Sequence, residues 1–517
     1  MGIIYAVTGF ARRSTLQKMT KPLPGSIQRA SSFDLAVAPI AEGDTRQVWV
    51  ARQVREQILS GALAVGSRVP STRALAQRLG VGRSTVEVAF DQLRAEGYLT
   101  SIVGSGTYVS AVVPDRFMEA VPTAPARAAA AKSLSMLRAE TRNSEPGRFD
   151  KAFVSRTADT ALFPMPAWRQ HLQEASRRAG ARELANDDPF GWLPLRMQIA
   201  RYLGAARGIS CDPAQVVVVS GIRHGLDLAA RAVLNPSDKV LLEDPGYAHA
   251  TDIFGRYTAR IASVPIDGDG FSVARARRHA GVRLVHVTPA HQSPTGLTMP
   301  VSRRLELLAW AGENKAWVVE DDYDSEFNYR SAPLPALKSL DAAGRVIHCG
   351  SFNKTMFAAL RIGYVVMPEA LIAGFSANCR SAGRSTGIVE QMALADFLED
   401  GGFARHVRRS RAIYAQRRDR VLSALRDALS PHPLDVSGEH GGFHFLWRLP
   451  AAWRLDAFLS EASKRKLIFE TVEKFCSRVV LPPAVLIGDS ALQEETLERA
   501  LVALCEVIRN GTGKVAQ

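Results

Sequence analysis

Gly350-Ser351-Phe352-Asn353-Lys354-Thr355-Met356-Phe357-Ala358-Ala359-Leu360-Arg361-Ile362-Gly363-Tyr364 is the stretch from which the rest of the chain can be read. Among 65 lysines and arginines, a lysine is ordinarily a surface charge. Lys354 stands apart because of its company. Ser351 lies three residues before it and Arg361 seven after it. A hydroxyl and a guanidinium around an amine that can form an imine make a phosphate-facing set.

Upstream, short apolar runs alternate with longer helical patterns: Val216–Val219, Val240–Leu242, Leu284–Val287 and Trp317–Val319. Near-continuous apolar strands separated by helices predict a mainly parallel sheet covered on both faces. Three motifs follow these strands. Ser220-Gly221-Ile222-Arg223-His224-Gly225 turns from strand to helix, where free backbone N–H groups can cradle a phosphate. Glu243-Asp-Pro-Gly-Tyr247 places an aromatic ring able to stack on a flat cofactor. Glu320-Asp321-Asp322-Tyr323-Asp324 sets carboxylates at the end of a buried strand, where open α/β sheets bind ligands.

The N-terminal part has a different pattern. Residues 46–60 place Val50, Val54, Ile58 and Leu59 on one helical face. Ser71 or Thr72 caps a second helix, Arg73–Leu79, ended by Gly80. A third runs from Arg83-Ser84-Thr85 to Glu96, with Val86, Phe90 and Leu93 inward. Tyr98 to Val109 reads as a hairpin turned by Gly104 and Gly106. This order predicts a winged helix-turn-helix, whose third helix enters the DNA major groove.

VPSTRAL followed by LAQRLGVGRSTVEVAFDQLRAEGYL resembles the GntR-type winged helix. The resemblance implies DNA contacts from Arg73, Arg83, Ser84 and Thr85, with Gly104 and Gly106 at the wing tip. Gly82 and Glu87 depart from the family pattern, at positions that bear on sequence preference. Beyond residue 150 the four motifs resemble class I, fold-type I aminotransferases. VTPAHQSPTG, EDDYDSEF, GSFNKTMFAALRIGY and ARHVRRSRAIYAQRRDR resemble most closely the MocR/GabR-like regulators, which join the two parts through a linker.

That resemblance implies an α/β fold-type I domain with a small C-terminal α+β subdomain, and pyridoxal 5′-phosphate (PLP) as cofactor. Lys354 would be the Schiff-base lysine. Asp321, 33 residues earlier, would pair with the pyridine nitrogen. Tyr323 would bond the phenolic oxygen, Tyr247 would lie over the ring, and Ser351, Arg361, Gly221, Ile222 and Arg223 would hold the phosphate. It also implies a head-to-tail homodimer. Three positions depart. Ser293 stands where enzymes carry Asn. His249 stands where relatives responsive to γ-aminobutyrate carry Arg. The arginine that clamps an α-carboxylate is expected near Leu481-Pro-Pro-Ala484 and is missing there, leaving Arg478 as the nearest candidate.

The chain has 517 residues, 46% hydrophobic and 22% charged, an ordinary globular composition with ample core material. Residues 1–112 hold 13 basic and 7 acidic residues, so +6 of the net +14 sits in under a quarter of the chain. This fits a polyanionic partner. Alanine and proline around 122–131 predict a linker. The expected division is an extension over 1–44, a winged helix over 45–112, a linker over 113–148 and the aminotransferase-like part over 149–517, its small subdomain starting near 380. Five scattered cysteines without a CxxC pair imply neither zinc nor disulfides and fit a reducing cytoplasm. No run reaches the roughly 18 apolar residues of a membrane span. The expected function is a transcription regulator that senses PLP, an amine or an amino acid, with at most slow or partial transamination. The alternative is an active aminotransferase with an appended DNA-binding module.

Overall fold

The computed structural model describes residues 39–40, 44–102, 104–111, 152–330, 335–383 and 386–510. The predicted linker and nearly all of the predicted extension lie outside these residues. The chain divides into two compact units, Met1–Thr141 and Arg142–Gln517.

In the first unit, α1 (Arg46–Leu59) starts at Thr45, whose side chain accepts from Val48 N. Its inner face buries Trp49, Val50, Val54 and Ile58. Leu59, expected inward, is 44% exposed. It follows Ile58 by about 100° around the helix and so leaves the stripe. Ser71 caps α2 (Thr72–Leu79), and Gly80 ends it at φ 63. Helix α3 (Arg83–Ala95) buries Val86, Ala89, Phe90 and Leu93 against α1 and α2. Its N-cap is Gly82, which has no capping side chain. Strands β1 (Leu99–Ile102) and β2 (Gly106–Val109) pair antiparallel and form the wing. Gly106 has φ +127, and a Cβ there would lie 2.8 Å from Arg68 Nε, so the tight return of the wing requires glycine.

In the second unit, seven strands form one sheet: β3 (Val216–Val219), β4 (Lys239–Asp244), β5 (Ile261–Pro265), β6 (Val282–Val287), β7 (Trp317–Asp322), β8 (Val346–Ser351) and β9 (Gly363–Val366). Their order is β3-β9-β8-β7-β6-β4-β5. Only β9 runs antiparallel to its neighbours, so the sheet is mainly parallel, as the apolar runs predict. Alternate residues enter different cores. Val216, Tyr364 and Val366 pack with helices Met165–Arg178 and Leu193–Arg207. Val217, Val219 and Val365 pack with helix Ile222–Val233. Both faces are therefore covered.

The small subdomain is a four-stranded antiparallel sheet, ordered β10 (Asp435–Ser437), β11 (Phe445–Arg448), β13 (Ala484–Ile487), β12 (Glu470–Thr471). It packs under helix Glu494–Asn510 and the C-terminal half of helix Gly402–Leu429. Its own core begins at Val421 and also takes in Ala152 and Phe153. Helix Ile388–Glu399, which a boundary near 380 assigns to the small subdomain, is instead buried in the core of the seven-stranded sheet.

Candidate functional site

The period of two along β7 separates its three carboxylates. Asp321 points to the same side as Val319, with His286 of β6 3.3 Å from its Oδ2. Glu320 and Asp322 point to the other side. There Glu320 bonds His348 Nδ1 at 2.9 Å and receives Leu337 N and Lys338 N. Asp322 pairs with buried Arg207 at 2.8 Å. These two are therefore occupied in holding the fold. Asp321 Oδ1 is buried and, among the described residues, has no hydrogen-bond partner, as is also true of the second oxygen of Asp322. Burial pushes the Asp321 carboxyl up, while His286 opposes that shift. A buried, half-satisfied carboxylate is costly unless a donor meets it.

Strand β8 lies beside β7, with Asp321 opposite Cys349. Two residues on, Ser351 caps the one-turn helix Phe352–Thr355, its Oγ accepting from Asn353 N at 3.2 Å. Lys354 follows, partly buried, and its Nζ donates to Arg156 O at 2.5 Å. Asn353 joins this turn to the β3 turn. Its Nδ2 donates to Ser220 O at 3.3 Å, and its Oδ1 accepts from Ile362 N at 3.0 Å. Gly221 sits at φ 126 as N-cap of helix Ile222–Val233, and a Cβ there would lie 2.6 Å from Asn353 Nδ2. The structure thus brings together Gly221, Ile222, Ser351 and Lys354. Arg361 also borders this junction, in the left-handed conformation at φ 55 with its side chain exposed.

Tyr323 Oη donates to His291 O at 2.9 Å and lies 3.1 Å from His291 Nδ1. His291 in turn meets Asp324 at 3.0 Å. Burial raises the Tyr323 hydroxyl well above its ordinary value. Tyr247 N-caps helix Ala248–Phe254, and its ring lies within 26° of parallel to His286. Arg223 bridges Tyr247 Oη at 3.4 Å and His249 Nε2 at 2.5 Å. His249 and Tyr247 thus share one arginine. Ser293 is buried, its N–H donating to Thr288 Oγ1 at 3.0 Å. Arg478 is not brought in: its backbone N binds Asp244 at 2.8 Å, its side chain is exposed, and its charge acts on His279. His286, Asn353, His291 and Arg156 were missed by the sequence reading. Only Asn353, next to Lys354, carried a local signal.

On the first unit, Arg73, Arg83 and Ser84 are exposed and Thr85 is half-buried. Arg83 Nε donates to Glu87 Oε1 at 3.0 Å, one helical turn on. The wing-tip Gly104 has φ +77. Among the described residues, no cluster of three or more His, Cys, Asp or Glu is placed to hold a metal, and no helix is long and apolar enough to cross a membrane.

Comparison with known proteins agrees with this division. Residues 47–109 match the family of bacterial regulatory proteins, gntR family, and residues 156–504 match aminotransferase class I and II. The C-terminal unit resembles a solved kynurenine aminotransferase of Pyrococcus horikoshii, with TM-score 0.63 and 27% identity over 69% of this chain and 90% of that one. The protein is thus a gntR-type DNA-binding module joined to an aminotransferase-fold domain, a fold that implies PLP binding. It is 33% identical to the probable rhizopine catabolism regulatory protein MocR of Rhizobium meliloti, across 87% of this chain and 91% of the relative. It is 37% identical to the HTH-type regulator TauR of Rhodobacter capsulatus, across 80% and 86%. It is 31% identical to the pyridoxine biosynthesis regulator PdxR of Corynebacterium glutamicum, across 92% and 100%. The chain belongs to the MocR-type HTH transcription regulators.

Proposed function

We propose that this regulator holds PLP on Lys354 and changes its hold on DNA when an amine or amino acid reaches that cofactor. The observation that carries the reading is the buried Asp321 Oδ1, without a partner among the described residues and one strand away from the lysine. A protonated ring nitrogen is the donor it lacks. When bound, PLP supplies an electron sink for amine chemistry. The chain's residues position it. Tyr323 would turn its one hydroxyl proton from His291 O to the phenolic oxygen. Tyr247, held by Arg223, covers the ring. Gly221, Ile222, Arg223, Ser351 and Arg361 surround the phosphate. Lys354 also provides the base that can move a proton at the reacting carbon.

The reading includes a cytoplasmic head-to-tail homodimer presenting two winged helices to one operator, supported by the aminotransferase-type fold. Transamination is at most slow or partial, because Ser293 replaces the usual Asn and no arginine stands in the Leu481–Ala484 segment. Borohydride reduction followed by peptide mapping tests the cofactor assignment. The pyridoxyl label should appear on the peptide holding Lys354, and recovery on another lysine would overturn it. Arg73, Arg83, Ser84, Thr85, Gly104 and Gly106 form the DNA-facing set. Replacing Arg83 with alanine should weaken operator binding by about 1–3 kcal/mol and leave the cofactor spectrum unchanged. Unaltered affinity in a gel-shift titration would displace α3 from the groove.

A further inference from the structure

One arginine in the second unit lies where no sequence pattern places one. Arg156 has φ 58, in the left-handed region that favours glycine. The segment carrying it is fixed on both sides. Ala152 pairs with Leu467, Gly488 N donates to Phe153 O at 3.1 Å, and Arg156 O receives Lys354 Nζ. The side chain is equally constrained. Its Nη2 donates to Glu470 Oε2 at 2.8 Å, and its guanidinium carbon lies 4.8 Å from the Phe475 ring centre. Ser155 Oγ donates to the same carboxylate oxygen. The Arg156 side chain is mostly buried, 18% exposed.

Glu470 belongs to β12 and sits opposite Leu486 of β13, on the sheet face lined by Leu446, Val472, Phe475 and Leu486. The charge of Arg156 reaches the residues around the lysine. Burial is the main influence on the protonation of Tyr247, Tyr323 and His444, and Arg156 acts on all three. Arg418, which also acts on His444, is held by Asp489. Arg223 holds Tyr247 and His249, Arg361 borders the Gly221–Ser351 junction, and Arg478 faces outward.

We infer that Arg156 is the carboxylate receptor of the pocket, so that the effector is an amine bearing a carboxylate, an amino acid rather than a plain amine. This rests on the reading of Lys354 as the PLP lysine. One residue then meets both ends of the ligand site, with its carbonyl at the lysine nitrogen and its guanidinium beyond. Glu470 takes a single N–H of the five and keeps the planar group oriented, leaving other donors for an incoming carboxylate. The fork is thereby supplied by the start of the domain instead of by the segment before β13.

The test uses the full-length protein loaded with PLP and follows the cofactor's visible absorbance on titration with L-alanine, β-alanine and ethylamine. Wild type should respond to at least one of the two amino acids at lower concentration than to ethylamine. Arg156→Gly suits this backbone, since glycine adopts the observed φ freely. It should raise the half-saturating amino-acid concentration by about 10- to 100-fold, the loss of a charge-assisted contact, and change ethylamine less than about twofold. Arg156→Lys should fall between, keeping charge without the fork. An Arg156 that merely ties the segment to the small sheet would shift all probes alike, and that result overturns the inference. So does a wild type that shows no preference for a carboxylate. Wild-type protein lacking the cofactor absorbance altogether would sink the PLP reading and this inference with it.

Discussion

Replacing Lys354 with alanine should remove the covalently held cofactor and, with it, the whole amine-dependent change in operator affinity. The argument is chemical before it is structural: imine formation needs a primary amine in the pocket. Lys354 is placed for this by the Ser351 cap and by Asn353, which ties its turn to the β3 turn. An ordinary allosteric coupling of 1–3 kcal/mol changes affinity about 5- to 150-fold, and that change should vanish in the variant. Folding should survive, because the side chain is only partly buried and lies in a one-turn helix, where alanine is well tolerated. Operator titration with and without added amino acid, beside a thermal melt, separates the two. A folded variant that keeps both the visible spectrum and the response would refute the assignment.

The largest expected loss of stability lies at Arg418. Its side chain is 1% exposed and its partner Asp489 fully buried. Arg418 Nη2 donates to Asp489 Oδ1 at 3.0 Å, and its Nε donates to Oδ2. It also donates to the carbonyls of Gly438, Gly441 and Gly442 at 3.1–3.2 Å, and its guanidinium lies over Phe445 at 4.9 Å. Arg418→Ala takes the charge partner from the buried Asp489 carboxylate and a donor from each of three carbonyls, of which Gly442 O keeps Tyr329 Oη at 2.6 Å. Breaking a buried pair from one side costs about 3–5 kcal/mol, and urea unfolding of the C-terminal unit should register it. Replacing both partners with apolar residues of similar size should restore much of the loss, because no charge is then left uncompensated. A single variant within about 1 kcal/mol of wild type would contradict the role given to this pair.

Much of the fold is written in local patterns. Val216–Val219 could be read as a buried strand because four successive valines suit only a sheet covered on both faces. The winged helix could be read from caps and glycines. Helix Ile388–Glu399 resisted because IVEQMALADFLE is buried around most of its circumference, so its sequence points to no particular core. The site divides in the same way. Lys354, Ser351 and Asp321 lie at strand ends with recognisable neighbours. His286 meets Asp321 across 35 residues and Arg156 meets Glu470 across 314, so neither pair leaves a trace in local spacing. Arg156 is further concealed by its backbone, since a left-handed arginine is not a pattern that propensity reveals.

The short segment over 152–156 also bears on the order of assembly. Its partners are Leu467, Glu470 and Gly488, and the carbonyl it offers to Lys354 spans 198 residues. Strands β4 to β9 pair with strands near them in the chain, whereas β3 closes the sheet against β9 from a distance, and the closures made by 152–156 span further still. Such distant contacts carry the largest loop-closure entropy and form late. As the chain emerges from the ribosome, the sheet and the lysine are already present while the wall containing Arg156 still awaits the last strand of the small subdomain. Arg156 and the carbonyl it offers to Lys354 are therefore fixed in place only when residues near 488 have been synthesised.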